Sequence, residues 1–481
     1  MSIRVRNVVK GLMLVLVLSV LLSCELLLPA GEEESEYEWI MMVYLDGDNN
    51  LEDAAVEDFH EMEKGLYDMA QLNGDIRDSF RILVLFDDET IGAQGIYDVT
   101  PYDVDLTSTA QMSAAPSRGL LSNTSAEVNM GNALTLDAFI EYVKDRYDSE
   151  NYALVLWNHG GGVRSGERSL PDSRTICWDD TSGGDVLYNG EIRNMVGNEN
   201  SVDLLAMDAC LMGMTEVAYQ FRPSNSKFSA EAMSFSPATE QGDGYEYNLL
   251  LPQLITGRTI SQLTANTFAD EIVDAYRAAF SSVSGETQTA VDLTKISAVK
   301  SAVDNLASLL TGYKATMLNS GGVQDNTYAY FDTTNAYEWK EYAGFDLYDL
   351  AYRTKNTISN AAVDDACDDV MDAVSAAVID STLGNSGGGY LPGSHGLSIF
   401  FPYGDGAYGG YTYWDYQYFY TSLSHTDLAA WYDDVWGGAD YYGEIEFCSA
   451  DNDNTVESWF ELLQYWFNPT KDLSVHPGPY Y

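Results

Sequence analysis

Positive charge is what this chain of 481 residues lacks most: 24 Lys and Arg stand against 74 Asp and Glu, a net charge of −50. Nucleic-acid binding is excluded as a main role, because neutralising phosphates takes clustered cations. An anionic lipid surface repels such a chain unless a covalent anchor holds it there. Cysteine is scarce too: five, widely scattered, with no CxxC pair. That excludes a disulfide framework and argues against structural zinc. There is no internal repeat, which excludes a solenoid. What the chain has is apolar surface, 46% hydrophobic and 12% aromatic residues, enough for a large core and too much for a mainly disordered chain. Its one-signed field favours cationic ligands, and serves solubility equally well.

The first ten residues carry Arg4, Arg6 and Lys10 and no acid, and an apolar run follows at 12–22. A basic head before a short apolar stretch is an export signal. The run is short for a membrane-spanning helix. It ends in Leu21-Leu22-Ser23-Cys24, which resembles a bacterial lipobox, with Cys24 as the lipidated residue. Ordinary signal cleavage near Ala30 is the alternative. The expected organisation is a signal peptide at 1–23, an acidic tether at 24–38, a first folded core at 39–256, a helix-rich second part at 257–436, and a tail of unknown role at 437–481.

Continuous apolar runs at 39–45, 81–86, 152–157 and 202–207 predict strands buried on both faces, with a fifth at 227–233. Helical periodicity lies between them at 51–66, 134–147 and 212–221. Residues 95–105 predict a hairpin-like excursion. The second half predicts helices at 260–280, 297–310, 345–353 and 361–378, and strands at 289–293 and 397–401. This is an α/β chain: a mostly parallel sheet flanked by helices, with a helix-rich C-terminal extension. Ligands of such sheets sit at the carboxyl ends of the strands. The Tyr- and Gly-rich stretch 404–420, with Trp414, suits a packed surface loop or a carbohydrate or peptide contact.

Two of the strands end in reactive side chains. Leu154-Val155-Leu156-Trp157-Asn158-His159-Gly160 puts His159 just past one; Leu205-Ala206-Met207-Asp208-Ala209-Cys210 puts Cys210 just past another. Neighbouring parallel strands lie about 4.8 Å apart, so the two side chains can share a cleft. A thiolate is the competent nucleophile, and an imidazole can generate it and protonate a leaving amine. Each residue alone also fits a structural histidine or a small buried thiol.

With these residues in place, the chain resembles the clostripain family of caspase-like cysteine peptidases. The likeness is carried by Met42-Val43-Tyr44-Leu45 leading to Asp48-Asn49-Asn50-Leu51-Glu52, by Trp157-Asn158-His159-Gly160-Gly161-Gly162, by Asp208-Ala209-Cys210-Leu211-Met212-Gly213-Met214-Thr215-Glu216, and by Gly396-Leu397-Ser398-Ile399-Phe400-Phe401-Pro402. It runs from about residue 39 to about residue 436.

The resemblance implies a caspase-like fold and a Cys-His dyad, with Cys210 as nucleophile and His159 as general acid and base. Backbone N–H groups of Gly160 and Cys210 would meet the oxyanion. It implies protein or peptide substrates cleaved after Arg or Lys. That needs a buried carboxylate; Asp208 resembles the family's acidic pocket residue, and Glu240 or Asp243 would supply a second, with no choice between them. Self-processing is expected after Arg168 or Arg174. Cys177 lies in the same loop, with no strand before it, and is a poor nucleophile. No cofactor is required. Calcium, which some family members need, stays open with no site assigned: Asp46, Asp48, Asn50 and Glu57 copy part of an EF-hand loop, but Leu51 stands where that loop needs glycine. The rival reading is a catalytically silent, surface-anchored binding protein on the same fold.

Overall fold

The computed structural model describes residues 37–90, 92–123, 127–162, 176–281, 286–331, 333, 343–383, 393–402, 407–408, 411–412, 445–451 and 453–467. The export signal, Cys24, Arg168, Arg174 and Trp414 lie outside the described residues.

In chain order the first thirteen strands are β1 (Tyr37–Gly47), β2 (Phe80–Asp88), β3 (Gly95–Asp98), β4 (Leu120–Asn123), β5 (Ser149–Trp157), β6 (Ile176–Asp179), β7 (Asp185–Leu187), β8 (Leu204–Asp208), β9 (Ala232–Phe235), β10 (Thr287–Asp292), β11 (Gly344–Asp346), β12 (Val378–Leu383) and β13 (Ser398–Phe400). Nine of them form one sheet in the order β12-β10-β9-β8-β5-β1-β2-β3-β4. The central five, β9-β8-β5-β1-β2, are parallel; both flanks are antiparallel. Only residues 89–94 separate β2 from β3, too few for the crossover that a parallel pair needs, so the chain folds back. Strands β10 and β12 come from the second part of the chain and extend the sheet begun by the first.

The apolar runs read as strands are apolar on both faces because each face meets a helical layer. Along β1, Ile40, Met42 and Tyr44 enter one core while Trp39, Met41, Val43 and Leu45 enter the other. The second face is covered by α1 (Glu52–Leu72), through Val56, Phe59, Met62 and Leu66 at helical spacing. The first face is covered by α2 (Ala133–Lys144), through Leu136, Phe139, Ile140 and Val143. Two further helices, Ile296–Leu309 and Ala361–Ala377, pack on that same side. Among the described residues no helix is long and apolar enough to cross a membrane.

The strand expected at 227–233 lies further on, at β9. Phe228 is buried from the connecting segment instead, its ring edge-on to Phe221 at 6.2 Å, so an apolar residue there marks a packed loop. The described part of the expected tail, 445–467, is built into the core. Glu446 pairs with Arg222 and Lys227, both at 2.6 Å. The helix Trp459–Phe467 buries Trp459, Leu462, Leu463 and Trp466, and Trp459 Nε1 donates to Phe400 O at 2.7 Å. Trp459→Ala is therefore expected to cost about 3–5 kcal/mol, the usual loss for a buried aromatic. A urea-unfolding midpoint unchanged by the substitution would put this helix outside the cooperative core.

Candidate active site

The C-terminal ends of β5 and β8 set the site. Trp157 and Asp208 are register partners, so His159 and Cys210 each stand two residues beyond one rung of a parallel ladder. Asn158 fixes the first turn: its N–H donates to Asp208 O at 3.3 Å and its Nδ2 to Asp46 O at 2.8 Å. Gly160 is required by close approach, because a Cβ there would come within 2.1 Å of Cys210 O. After the cysteine, Leu211 takes φ +65°, a left-handed conformation that costs a branched residue about 1–3 kcal/mol. Its N–H donates to Ala238 O at 2.8 Å, which holds the strained turn. Cys210 is left half-buried.

His159 Nε2 lies 3.0 Å from Asn50 Oδ1. An amide oxygen can only accept, so the ring carries a proton on Nε2, and in the neutral ring Nδ1 holds the lone pair. The Cys210 sulfur accepts the Glu240 N–H at 3.2 Å. Burial, and then the Glu240 and Asp208 carboxylates, push its thiol up to about 12.

Asp208, 4% exposed, accepts from Tyr245 N at 3.1 Å and from the Tyr247 hydroxyl at 2.9 Å. Gly244, at φ +57°, brings backbone against it; a Cβ there would meet Oδ1 at 2.9 Å. Burial pushes Asp208 up to about 7, against the pull of these two donors. Asp58 is raised by burial and then by Asp208 and Glu61, although Trp157 Nε1 donates to it at 2.6 Å. Burial, Asp208 and Glu286 raise Glu240. Of the two residues left open as a second pocket acid, Glu240 is the one placed with Cys210 and Asp208. Asp243 is exposed, and its charge acts instead on Glu57 and Glu246.

Three expectations need correcting or completing. Cys177 is not in a loop: it lies in β6, fully buried at φ +52°, and burial raises its thiol well above the ordinary range. The EF-hand fragment is not assembled, because Glu57 is exposed on α1 while Asn50 turns to His159. The residues able to hold a cation are others: Asp48, Asp87, Glu127 and Asp179 gather beside β1 and β2. Asn50, Tyr245 and Tyr247 were also not foreseen as site residues. Asn50 alone carried a signal, its place in the Asp48-Asn49-Asn50 turn.

Comparison with known proteins bears on the family and the fold. The clostripain family model matches residues 43–466. Clostripain of Hathewaya histolytica is 33% identical, over 90% of this chain and 88% of that one. An inactive zymogen C11 protease from Parabacteroides distasonis shares the fold with a TM-score of 0.55 at 16% identity, over 87% of this chain and 99% of that one. A secreted C11 cysteine protease from Bacteroides thetaiotaomicron, solved with an irreversible peptide inhibitor, gives 0.54 at 18% identity, over 82% and 99%.

The acids around Cys210 set a measurable expectation. Its alkylation by iodoacetamide should still be accelerating above pH 9, beyond the ordinary thiol range near 8.5. Glu240→Gln removes a negative charge and should shift that profile to lower pH. Mass spectrometry of the Cys210 peptide reads both, and an unshifted profile in Glu240→Gln would separate that carboxylate from the thiol.

Proposed function

The chain belongs to the clostripain family of cysteine peptidases, and we propose that it cleaves peptide bonds after Arg or Lys through a Cys210–His159 dyad. The observation that carries the reading is the shared register of β5 and β8, which sets His159 and Cys210 side by side at the carboxyl ends of adjacent strands. The Asn50 oxygen holds Nε2–H of His159, leaving Nδ1 to take the thiol proton. The sulfur then bonds the scissile carbonyl carbon. Backbone N–H groups of Gly160 and Cys210 meet the oxyanion, a role supported by the tight approach of Gly160 to Cys210. As the tetrahedral species collapses, the carbon–nitrogen bond breaks and the imidazolium protonates the departing amine. A water deprotonated by His159 attacks the thioester and frees Cys210.

Specificity rests on charge. A guanidinium or ammonium taken out of water needs a carboxylate partner. Asp208 and Glu240 supply two next to the nucleophile, and the strongest charges acting on Glu240 are themselves carboxylates. A bound cation would offset the charges that hold the Cys210 thiol protonated, so an Arg or Lys substrate also promotes its own attack. The lipobox-like residues 21–24 support anchoring through Cys24, and a secreted C11 protease of the same fold is in keeping with export. Processing after Arg168 or Arg174 follows from the same specificity.

Fluorogenic peptides ending in Arg, Lys, Asp or Leu test the reading. Wild type should cleave only after Arg or Lys, and Cys210→Ala should fall to background. Asp208→Asn should lower kcat/KM for Arg peptides about 10- to 100-fold, the worth of a charged hydrogen bond. Cleavage after Leu or Asp would discard the pocket. No cleavage by folded wild type would leave a binding protein on a peptidase fold. Intact mass should show two chains in active wild type and one in Cys210→Ala; a single chain in fully active enzyme would remove the processing step.

A further inference from the structure

We propose that Gln288, on β10, is a positioning and specificity-determining residue: its side-chain amide holds the Glu240 carboxylate in place beside Cys210 without neutralising it. The specificity half rests on the role given to Glu240 above; the contact itself does not.

The strand β10 is unusual in what it buries. Thr287, Gln288 and Thr289 are fully buried, at strand positions that apolar residues usually fill. A buried polar group is costly unless it is hydrogen-bonded. Thr287 and Gln288, with Glu286 just before them, direct their bonds to one segment, residues 235–241. Glu286 accepts from Gln241 Nε2, and also from the Tyr276 hydroxyl at 3.2 Å. Thr287 Oγ1 accepts from Ala238 N at 3.1 Å and lies 2.7 Å from Ser236 Oγ. That segment in turn grips the turn of the nucleophile. Ser236 O accepts from Gly213 N at 2.7 Å, Ala238 O from Leu211 N at 2.8 Å, and Glu240 N donates to the Cys210 sulfur at 3.2 Å.

Gln288 completes the set. It shares the phase of Ala290 and faces the second core, as Asp208 does. The Phe235 N–H lies 3.1 Å from one end of the Gln288 amide, and an N–H can only donate, so that end is the oxygen. The Tyr245 hydroxyl donates to the same oxygen at 2.8 Å. Nε2 is thereby turned to Glu240 Oε1 and donates to it at 2.9 Å. Tyr245 N holds Asp208 at 3.1 Å. One buried amide therefore reaches both acids beside the nucleophile, Glu240 directly and Asp208 through Tyr245.

The neutrality of the donor is the point. A carboxylate that receives a guanidinium needs a fixed direction and an uncancelled charge. Lys or Arg at this position would fix Glu240 by pairing with it, and would remove the charge that a basic substrate needs. An apolar residue would leave Glu240 and the Phe235 N–H without this partner. Glutamine orients the acid and leaves its charge in place. Its N–H also favours the ionised carboxylate, against the burial and the Asp208 and Glu286 charges that raise Glu240.

The test combines hydrolysis of Arg peptides with alkylation of Cys210, both on the full chain. Gln288→Met keeps the length and removes the donor, so kcat/KM should fall about tenfold, the loss of a hydrogen bond to a charge. In a Glu240→Gln background the same substitution should cost less than about twofold, because its target is gone. Full activity in Gln288→Met, or an equal loss in that background, overturns the specificity half. Glu240→Asp keeps the charge but withdraws it from the amide by one methylene. It should cost as much as Gln288→Met, and it keeps the test readable if the buried substitution unfolds the chain; undiminished kcat/KM in Glu240→Asp also overturns that half. Gln288→Lys sets a cation against Glu240, so Cys210 alkylation should move to lower pH, as in Glu240→Gln. An unshifted profile in folded Gln288→Lys overturns the contact, whatever the peptidase assay reads. Wild type that cleaves only after Leu or Asp, or not at all, overturns the Arg or Lys reading and the specificity half with it, while a shifted profile leaves the contact standing.

Discussion

Buried negative charge at the carboxyl edge of the sheet is the constraint on which the rest of this structure depends. Three of the five central strands carry acids where they run into a turn: Asp46 at the end of β1 with Asp48 just past it, Asp87 and Asp88 at the end of β2, and Asp208 at the end of β8. The helices that cover both faces of the sheet then close over those ends. Two unit charges 4 Å apart interact by about 4 kcal/mol at the effective dielectric of a protein's outer layers. With 24 cations against 74 acids, the chain has few internal partners to spend on them.

Strand alternation divides this charge into two basins. Asp46 and Asp87 share the phase of Tyr44 and Leu85 and face the first core; Asp208 shares the phase of Leu204 and Ala206 and faces the second. The first basin is sealed, its four aspartates at 46, 48, 87 and 179 fully buried. The second opens beside Cys210 and includes Glu240, which is half-buried. His159 and Cys210 stand between them, with Asn50 reaching His159 from one side and Glu240 reaching Cys210 from the other.

Much of this was legible in the sequence because burial on both faces writes itself as unbroken apolar runs. The strands carrying His159 and Cys210 were readable in that way, as were the helices between them, and the Asp-Ala-Cys stretch named the family. Pairing along the chain was legible; pairing across it was not. Asp87 reads as a strand-ending acid, Glu127 as a loop residue, and Asp179 as part of a segment with no strand signal. Only the fold brings them to one point. Cys177 was misplaced because β6 is four residues long and too short to show a period. The helix Trp459–Phe467 was assigned to a tail at 437–481, although its own Trp and Leu residues are core residues.

The proposed function puts the nucleophile in surroundings that oppose its ionisation. Burial, and then the Glu240 and Asp208 carboxylates, raise the Cys210 thiol and so oppose thiolate formation. A positively charged side chain entering beside Asp208 and Glu240 cancels the electrostatic part of that opposition and leaves desolvation for His159 to overcome. Under the proposed cleavage after Arg or Lys, recognition and activation would be one event, since the group that fits the pocket would be the group that lowers the barrier to thiolate formation. A neutral side chain would lose twice, once in binding and once in attack, so discrimination would appear in kcat as well as KM. On the proposed specificity, the acid excess that looks like a liability in the composition would be, at this edge of the sheet, the source of selectivity.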